Sequence, residues 1–302
     1  MSTPATGYQS TFRQDTFKNH VIIITGGGSG IGRCNAHELA SLGAQVILVG
    51  RSQDKLDSVV EEIQQDGGLA DRFAFDIRDE KAVGENISAI IKKHGPIYGL
   101  VNNAGGQFPA PLEAISQNGF ETVVRTNLVG GFLVAREVFK QSMKENGGAI
   151  VNITADNFGG MPMMGHSGAA RAGMANFTET AAIEWGEHGV RINAVAPGYI
   201  ASSGMDTYDQ NIIKGIMQKA KDGTPLQRIG NEAEVSSAIV YLLSPAASFI
   251  TGVNLRVDGG AAQTLCLWPL GKKKTSEEAK EPEAAFNGFH RSSTPQVIDE
   301  LD

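Results

Sequence analysis

The sequence predicts an α/β protein, one domain on a doubly wound parallel sheet, and three observations predict it. The stretch VIIITGGGSGIG at residues 21–32 runs from branched apolar residues into a glycine-rich turn and on into helix-forming sequence. Strand-like apolar runs then alternate with amphipathic helical stretches as far as Val257, the order that gives a parallel sheet with helices on both faces. No shift of composition near the middle of the 302 residues marks a second domain.

Val21 to Ile24 reads as a strand buried on both faces, and Thr25 ends it. Gly26, Gly27, Gly28, Ser29, Gly30 and Gly32 follow, and Arg33 to Leu42 carries apolar residues at helical spacing. A strand, a glycine turn and a helix in that order leave backbone N–H groups at a positive helix N-terminus, where a pyrophosphate binds. Gly43 caps this helix, and Gln45 to Val49 forms a second buried strand that ends at Gly50-Arg51-Ser52. Lys55 to Gln65 is a helix with Leu56, Val59, Val60 and Ile63 on one face.

Phe73 to Asp76 is a short third strand and Glu80 to Lys93 a third amphipathic helix. Leu100 to Asn103 is a strand running into Asn102-Asn103-Ala104-Gly105. Phe120 to Met143 reads as one long helix, Ala149 to Thr154 as a strand and Ala169 to Glu187 as a helix. Arg191 to Ala196 is a strand before Pro197-Gly198, and Glu232 to Leu243 and Asn254 to Val257 supply the last helix and strand. Residues 1–16 are polar and aperiodic and are expected to form a loose arm, with the folded domain at 17–267. From Trp268 the composition turns polar, with Lys272-Lys273-Lys274 and then many Glu, Ser, Thr and Pro. This tail, 268–302, is expected to be mobile or draped over the surface.

Bulk composition narrows the function classes. With 41% hydrophobic and 20% charged residues the chain has the make-up of an ordinary globular enzyme. A net charge of -7 offers no basic field for nucleic acid. No apolar run reaches membrane-spanning length, and the N-terminus has neither the basic nor the apolar part of a signal peptide. Cys34 and Cys266 have no metal-ligand spacing around them. The chain is therefore expected to be soluble and cytoplasmic, with no metal, nucleic-acid or membrane partner. Glu300-Leu301-Asp302 lacks a peroxisomal address of the Ser-Lys-Leu type.

Several signatures stand in order: Thr25-Gly26 through Gly30-Ile31-Gly32, Asp76, Asn102-Asn103-Ala104-Gly105, Asn127 within TNLVG, and Pro197-Gly198. Together they resemble the short-chain dehydrogenase/reductase family over about residues 17–262. The resemblance implies a Rossmann-type seven-stranded sheet, a nicotinamide cofactor and a homo-oligomer, a homotetramer being expected. It places Thr25, Gly26, Ser29, Gly30, Ile31 and Gly32 along the phosphates. Asp76, Asn103, Ala104 and Gly105 fall along the adenosine half, and Pro197, Gly198 and Ile200 beside the nicotinamide.

Cofactor choice has a physical reading of its own. A carboxylate after the second strand would accept hydrogen bonds from a ribose 2′-hydroxyl and repel a 2′-phosphate. The chain offers Arg51 and Ser52 there, and Arg33 just after the glycine turn. Guanidinium groups suit a phosphate, so NADPH is expected.

The catalytic stretch departs from the family. Carbonyl-reducing members carry a tyrosine and, four residues later, a lysine; here Ser167 and Arg171 occupy those places in HSGAARAG. No tyrosine occurs between Tyr98 and Tyr199, Asn127 is retained, and the usual serine position falls on Thr154 or its neighbour Ala155, with Thr154 the candidate stand-in. Arg171 does not give up a proton, and a serine hydroxyl is a poor acid. Reducing a carbon–carbon double bond conjugated to a thioester asks for less, because the charge develops on the thioester oxygen as an enolate. Hydrogen-bond donors and a fixed cation stabilise that oxygen, and Ser167 and Arg171 lie one helical turn apart to supply them, directly or through the cofactor ribose.

HSGAARAG, GGQF and LLSPAASFITG also resemble the peroxisomal trans-2-enoyl-CoA reductase branch, a neighbour of the 2,4-dienoyl-CoA reductases. In the dienoyl branch a tyrosine stands where this chain has Asp156. The expected activity is NADPH-dependent reduction of 2-enoyl-CoA thioesters in fatty-acid metabolism. Two alternatives stay open: a carbonyl or alcohol oxidoreductase using His166 or Asp156 as its acid, and a dinucleotide-binding scaffold without catalysis. Met161, Met163 and Met164 are candidates for a pliable acyl wall. Lys272 to Lys274 are weaker candidates for coenzyme A phosphates.

Overall fold

The side chains of Val21–Thr25, strand β1, divide between two cores. Ile22 and Ile24 pack on one face of the sheet with Leu48, Val101, Val151 and Val195; Ile23 packs on the other with Ile47, Leu100, Ile150 and Ile192. Strict alternation on strands buried on both faces puts one helical layer over each. A computed structural model describes residues 12–202 and 210–264, and the elements below lie within them.

The order is α1 (Gly30–Ser41), β2 (Gln45–Gly50), α2 (Gln53–Gln65), β3 (Leu69–Ala74), α3 (Glu80–His94), β4 (Ile97–Asn102) and α4 (Gln117–Val124). There follow α5 (Gly131–Val138), the one-turn α6 (Lys144–Asn146), β5 (Gly148–Ile153), α7 (Gly165–Trp185) and β6 (Val190–Pro197). The chain closes with β7 (Ile200–Ala201), α8 (Gln210–Gly223), β8 (Gly230–Asn231), α9 (Glu232–Leu243) and β9 (Asn254–Val257). Seven parallel strands run in the order β3-β2-β1-β4-β5-β6-β9, and β7 pairs separately with β8. Apolar residues of α1, α2 and α9 fill one core, and those of α3, α5 and α7 the other. This is the single-domain, doubly wound fold that the sequence predicts. Its strand order reverses beside β1, so a crevice opens between the ends of β1 and β4.

Three expectations are adjusted. The third strand begins at Leu69 rather than Phe73, because an edge strand with one mostly exposed face carries little apolar signal. The helix expected at 120–143 is interrupted by two π-helical turns, Arg125–Gly130 and Phe139–Met143, the first carrying Asn127. Of the expected arm, Phe12 packs against the core, and residues 1–11 lie outside the described residues. The tail at 268–302, with Lys272 to Lys274, also lies outside them. No helix among the described residues is long and apolar enough to cross a membrane.

Candidate active site

Close approach at the glycine turn shapes the crevice. A side chain at Gly32 would meet the Gly26 carbonyl oxygen at 2.3 Å and Asn103 Nδ2 at 2.5 Å, so only glycine lets α1 start this near the sheet. Ser29 precedes the helix in an extended conformation and makes no side-chain cap. The first helical bond runs from Arg33 N to Ser29 O (3.1 Å), leaving the earlier amides of Gly30, Ile31 and Gly32 for an outside acceptor. Thr25 Oγ1 accepts from the amides of Asn103 (3.0 Å) and Ala104 (2.9 Å), and Asn103 Nδ2 donates to Thr25 O (3.0 Å). These two side chains therefore staple the ends of β1 and β4 together.

One end of the crevice is lined by Gly28, Arg51, Ser52, Lys55 and Asp76, with Ala104 and Gly105 also lining it. Arg51, Ser52 and Lys55 are exposed, and Lys55 is a cation that the sequence reading does not single out. Asp76 is clamped by Arg78, with Nε to Oδ1 at 2.9 Å and Nη2 to Oδ2 at 2.6 Å. Those bonds hold its carboxyl down to about 2, so it stays an acceptor at any physiological pH. Arg33 departs from its expected role. Its guanidinium pairs with Glu62 of α2 through Nε (2.9 Å) and Nη2 (2.9 Å), and it is not among the residues lining the crevice.

At the other end, β6 finishes at Pro197, whose carbonyl accepts from Asp156 N (3.0 Å). Gly198 N donates to Val257 O (2.9 Å), and Ile200 is buried in β7. Between the two ends stand the candidate catalytic residues. A Cβ built on Gly105 would lie 2.6 Å from Arg171 Nη2 and 3.0 Å from Asn127 Oδ1, so both side chains close directly on the backbone of Gly105. Asn127 is buried and bonds the Gly106 backbone twice, accepting from its N (2.9 Å) and donating to its O (3.0 Å). It positions the loop that follows β4.

Ser167 is fully buried, and its hydroxyl donates to Gln107 Oε1 at 2.7 Å. The sequence reading expects Ser167 to act on a ligand directly or through the cofactor ribose; in the structure its hydroxyl proton goes to Gln107, an exposed residue. Gln107 was hidden in the sequence because its partner lies 60 residues away. Thr154 corrects a second expectation. Its hydroxyl lies between Val195 O (3.0 Å) and Asn254 Oδ1 (2.8 Å), buried in the sheet and facing β6 and β9 rather than Arg171.

Arg171 donates from Nη1 to the Ile153 carbonyl, and its buried Nε has no partner among the described residues. No carboxylate pairs with it there. Burial pushes its pKa down to about 10, so the guanidinium remains charged through the neutral range. A cation with a buried, unbonded donor is a place prepared for an acceptor. His166 is also buried, its Nδ1 accepting from Ser167 N (2.8 Å) and its ring meeting Phe108 edge-on at 4.4 Å. Replacing Ser167 by Ala is expected to cost about a hundredfold in turnover through misplacement of Gln107. Gln107→Ala should cost as much, and the double variant no more, because the two act as one unit; single-turnover rates of the three check this.

Comparison with known proteins gives the following. The family model described as Enoyl-(Acyl carrier protein) reductase matches residues 26–262. The mouse (Mus musculus) peroxisomal 2,4-dienoyl-CoA reductase is 34% identical over 273 residues, covering 89% of this chain and 92% of that protein. Gluconate 5-dehydrogenase of Gluconobacter oxydans is 35% identical, covering 80% of this chain and 94% of that protein. Among solved structures, the citronellol catabolism dehydrogenase of Pseudomonas aeruginosa PAO1 is 58% identical with a TM-score of 0.77, covering 85% of this chain and all of that one.

Proposed function

The chain belongs to the short-chain dehydrogenase/reductase family, and from that premise we propose that it uses NADPH to reduce the carbon–carbon double bond of a 2-enoyl-CoA thioester. The observation that carries the reading is Arg171, a cation with a buried, unbonded Nε and no carboxylate partner among the described residues, where carbonyl-reducing members of the family keep a lysine. NADPH supplies hydride to the β-carbon of the acyl group. The amides of Gly30, Ile31 and Gly32 would hold its pyrophosphate, Asp76 would accept from the adenine amino group, and Arg51, Ser52 and Lys55 would receive the 2′-phosphate. Pro197, Gly198 and Ile200 bound the nicotinamide end.

Arg171 and the Gln107 amide face the thioester oxygen and stabilise the negative charge that gathers there, Ser167 and Asn127 fixing the Gln107 loop. Met161, Met163 and Leu112 border the same end: the Met163 carbonyl accepts from Ala110 N (2.8 Å), and Leu112 lies against Gly165. Exposed apolar side chains such as Leu112, Phe158 and Met163 suit an acyl chain. Relatives named for dienoyl-CoA reduction support an acyl-CoA substrate. The 58% relative, named for citronellol catabolism, points to a branched isoprenoid acyl chain. The relative named gluconate 5-dehydrogenase favours a second reading, alcohol or carbonyl chemistry.

One assay separates them. NADPH oxidation is followed with crotonyl-CoA, a β-methyl-branched isoprenoid enoyl-CoA, acetoacetyl-CoA and a keto-sugar acid. Oxidation with the enoyl thioesters supports the proposal; oxidation with the ketones alone overturns it. Silence across the panel leaves the dinucleotide-binding scaffold. We further propose a homotetramer and a setting without membrane attachment, which size-exclusion chromatography with light scattering and cell fractionation test.

A further inference from the structure

Enoyl reduction needs a proton on the α-carbon as well as a hydride on the β-carbon, and neither Arg171 nor Gln107 supplies one. A half-buried acid stands at the right end of the cleft. Asp156 follows β5, its amide tied to Pro197 O (3.0 Å) at the nicotinamide end. The next residue, Asn157, donates from Nδ2 to Gly168 O (3.3 Å), one residue from Ser167. These two bonds fix Asp156 between the end of β6 and the first turn of α7. Its Oδ1 is buried and has no hydrogen-bond partner among the described residues. A buried carboxyl oxygen left unbonded costs about 1–3 kcal/mol, so it marks a place where a ligand or reaction supplies the missing contact.

We propose that Asp156 is the catalytic acid that protonates the α-carbon. Hydride arrives at the β-carbon, the π electrons move to the thioester oxygen beside Arg171, and the enolate collapses by taking the Asp156 proton at the α-carbon. The carboxylate left behind is reprotonated by solvent, and the balance is one hydride and one proton added to the double bond. This inference rests on the enoyl-CoA reading above.

The surroundings suit an acid. Desolvation is the main cause of a raised Asp156 pKa; the like charge of Asp258 adds to it, while the Phe158 amide and the Arg256 guanidinium oppose it. In the first two turns of the helix beside it the ionisable groups are His166 and Arg171, with Glu179 and Glu184 further along. An acid must be protonated to act, so turnover falls as pH rises through this raised pKa.

The test uses deuterium oxide. The unmodified protein is expected to place deuterium on one face of the α-carbon. Asp156→Asn should lower turnover about a hundredfold, place deuterium on both faces and lose the fall at high pH, while hydride still reaches the β-carbon. Asp156→Glu keeps the acid and should restore much of the rate and the single face, which separates lost chemistry from a damaged fold. An Asn variant that keeps the wild-type rate and a single labelled face overturns the assignment. A protein that oxidises NADPH with no enoyl-CoA sinks the enoyl reading itself, a different failure.

Discussion

Arg171→Ala should lose about a thousandfold in enoyl-CoA turnover, the upper end of what one preorganised oxyanion donor contributes. Its guanidinium closes on the backbone of Gly105, and its Nε has no partner among the described residues. Arg171→Lys should do better, with a loss of about tenfold, because the charge stays but the bond to Ile153 O or the contact over Gly105 is given up. A lysine that outperforms arginine would contradict this, since it would mean that a titratable amine is wanted. Steady-state kinetics of both variants, with NADPH affinity measured separately, decide between the two. Burial pushes the Arg171 pKa down only to about 10, so Arg171 keeps its charge through the neutral range and causes no loss of activity there. Any fall nearer neutrality therefore belongs to another group.

Cofactor discrimination should give the second large effect. Arg51→Asp is expected to weaken NADPH binding about tenfold or more while changing NADH severalfold less, because attraction to the 2′-phosphate becomes repulsion. Lys55→Ala should move in the same direction by a smaller factor, since Lys55 shares the exposed rim with Ser52. Arg33→Ala should not discriminate between the cofactors, its guanidinium being held by Glu62. Fluorescence titration with both nucleotides checks all three. Equal losses for NADPH and NADH at Arg51 would remove the case for a phosphate site.

What the sequence made legible was local. The strand, glycine turn and helix around Gly26 to Gly32 follow from neighbouring residues, and so does the alternation that gives the sheet. Arg171 was legible because a cation stands four residues after Ser167 on one helix. Roles set by distant partners were not. Glu62 draws Arg33 away from 29 residues on, and Asn254 turns the Thr154 hydroxyl into the sheet from 100 residues on. Gln107 lies in a loop with no periodicity, and only the fold brings it to Ser167. The π-helical turn that carries Asn127 is invisible to a 3.6-residue period, since it shifts the register without changing composition.

The central claim is that hydride goes to the β-carbon of a conjugated thioester and not to a carbonyl carbon. It is tested most directly by supplying NADPH deuterated at its transferable hydrogen together with an equal mixture of a 2-enoyl-CoA and a 3-ketoacyl-CoA, and locating the label by mass spectrometry and NMR. The account predicts deuterium at the β-carbon of a saturated acyl-CoA formed from the enoyl substrate, with the ketone returned unlabelled. Deuterium on the carbinol carbon of a 3-hydroxyacyl-CoA would contradict it.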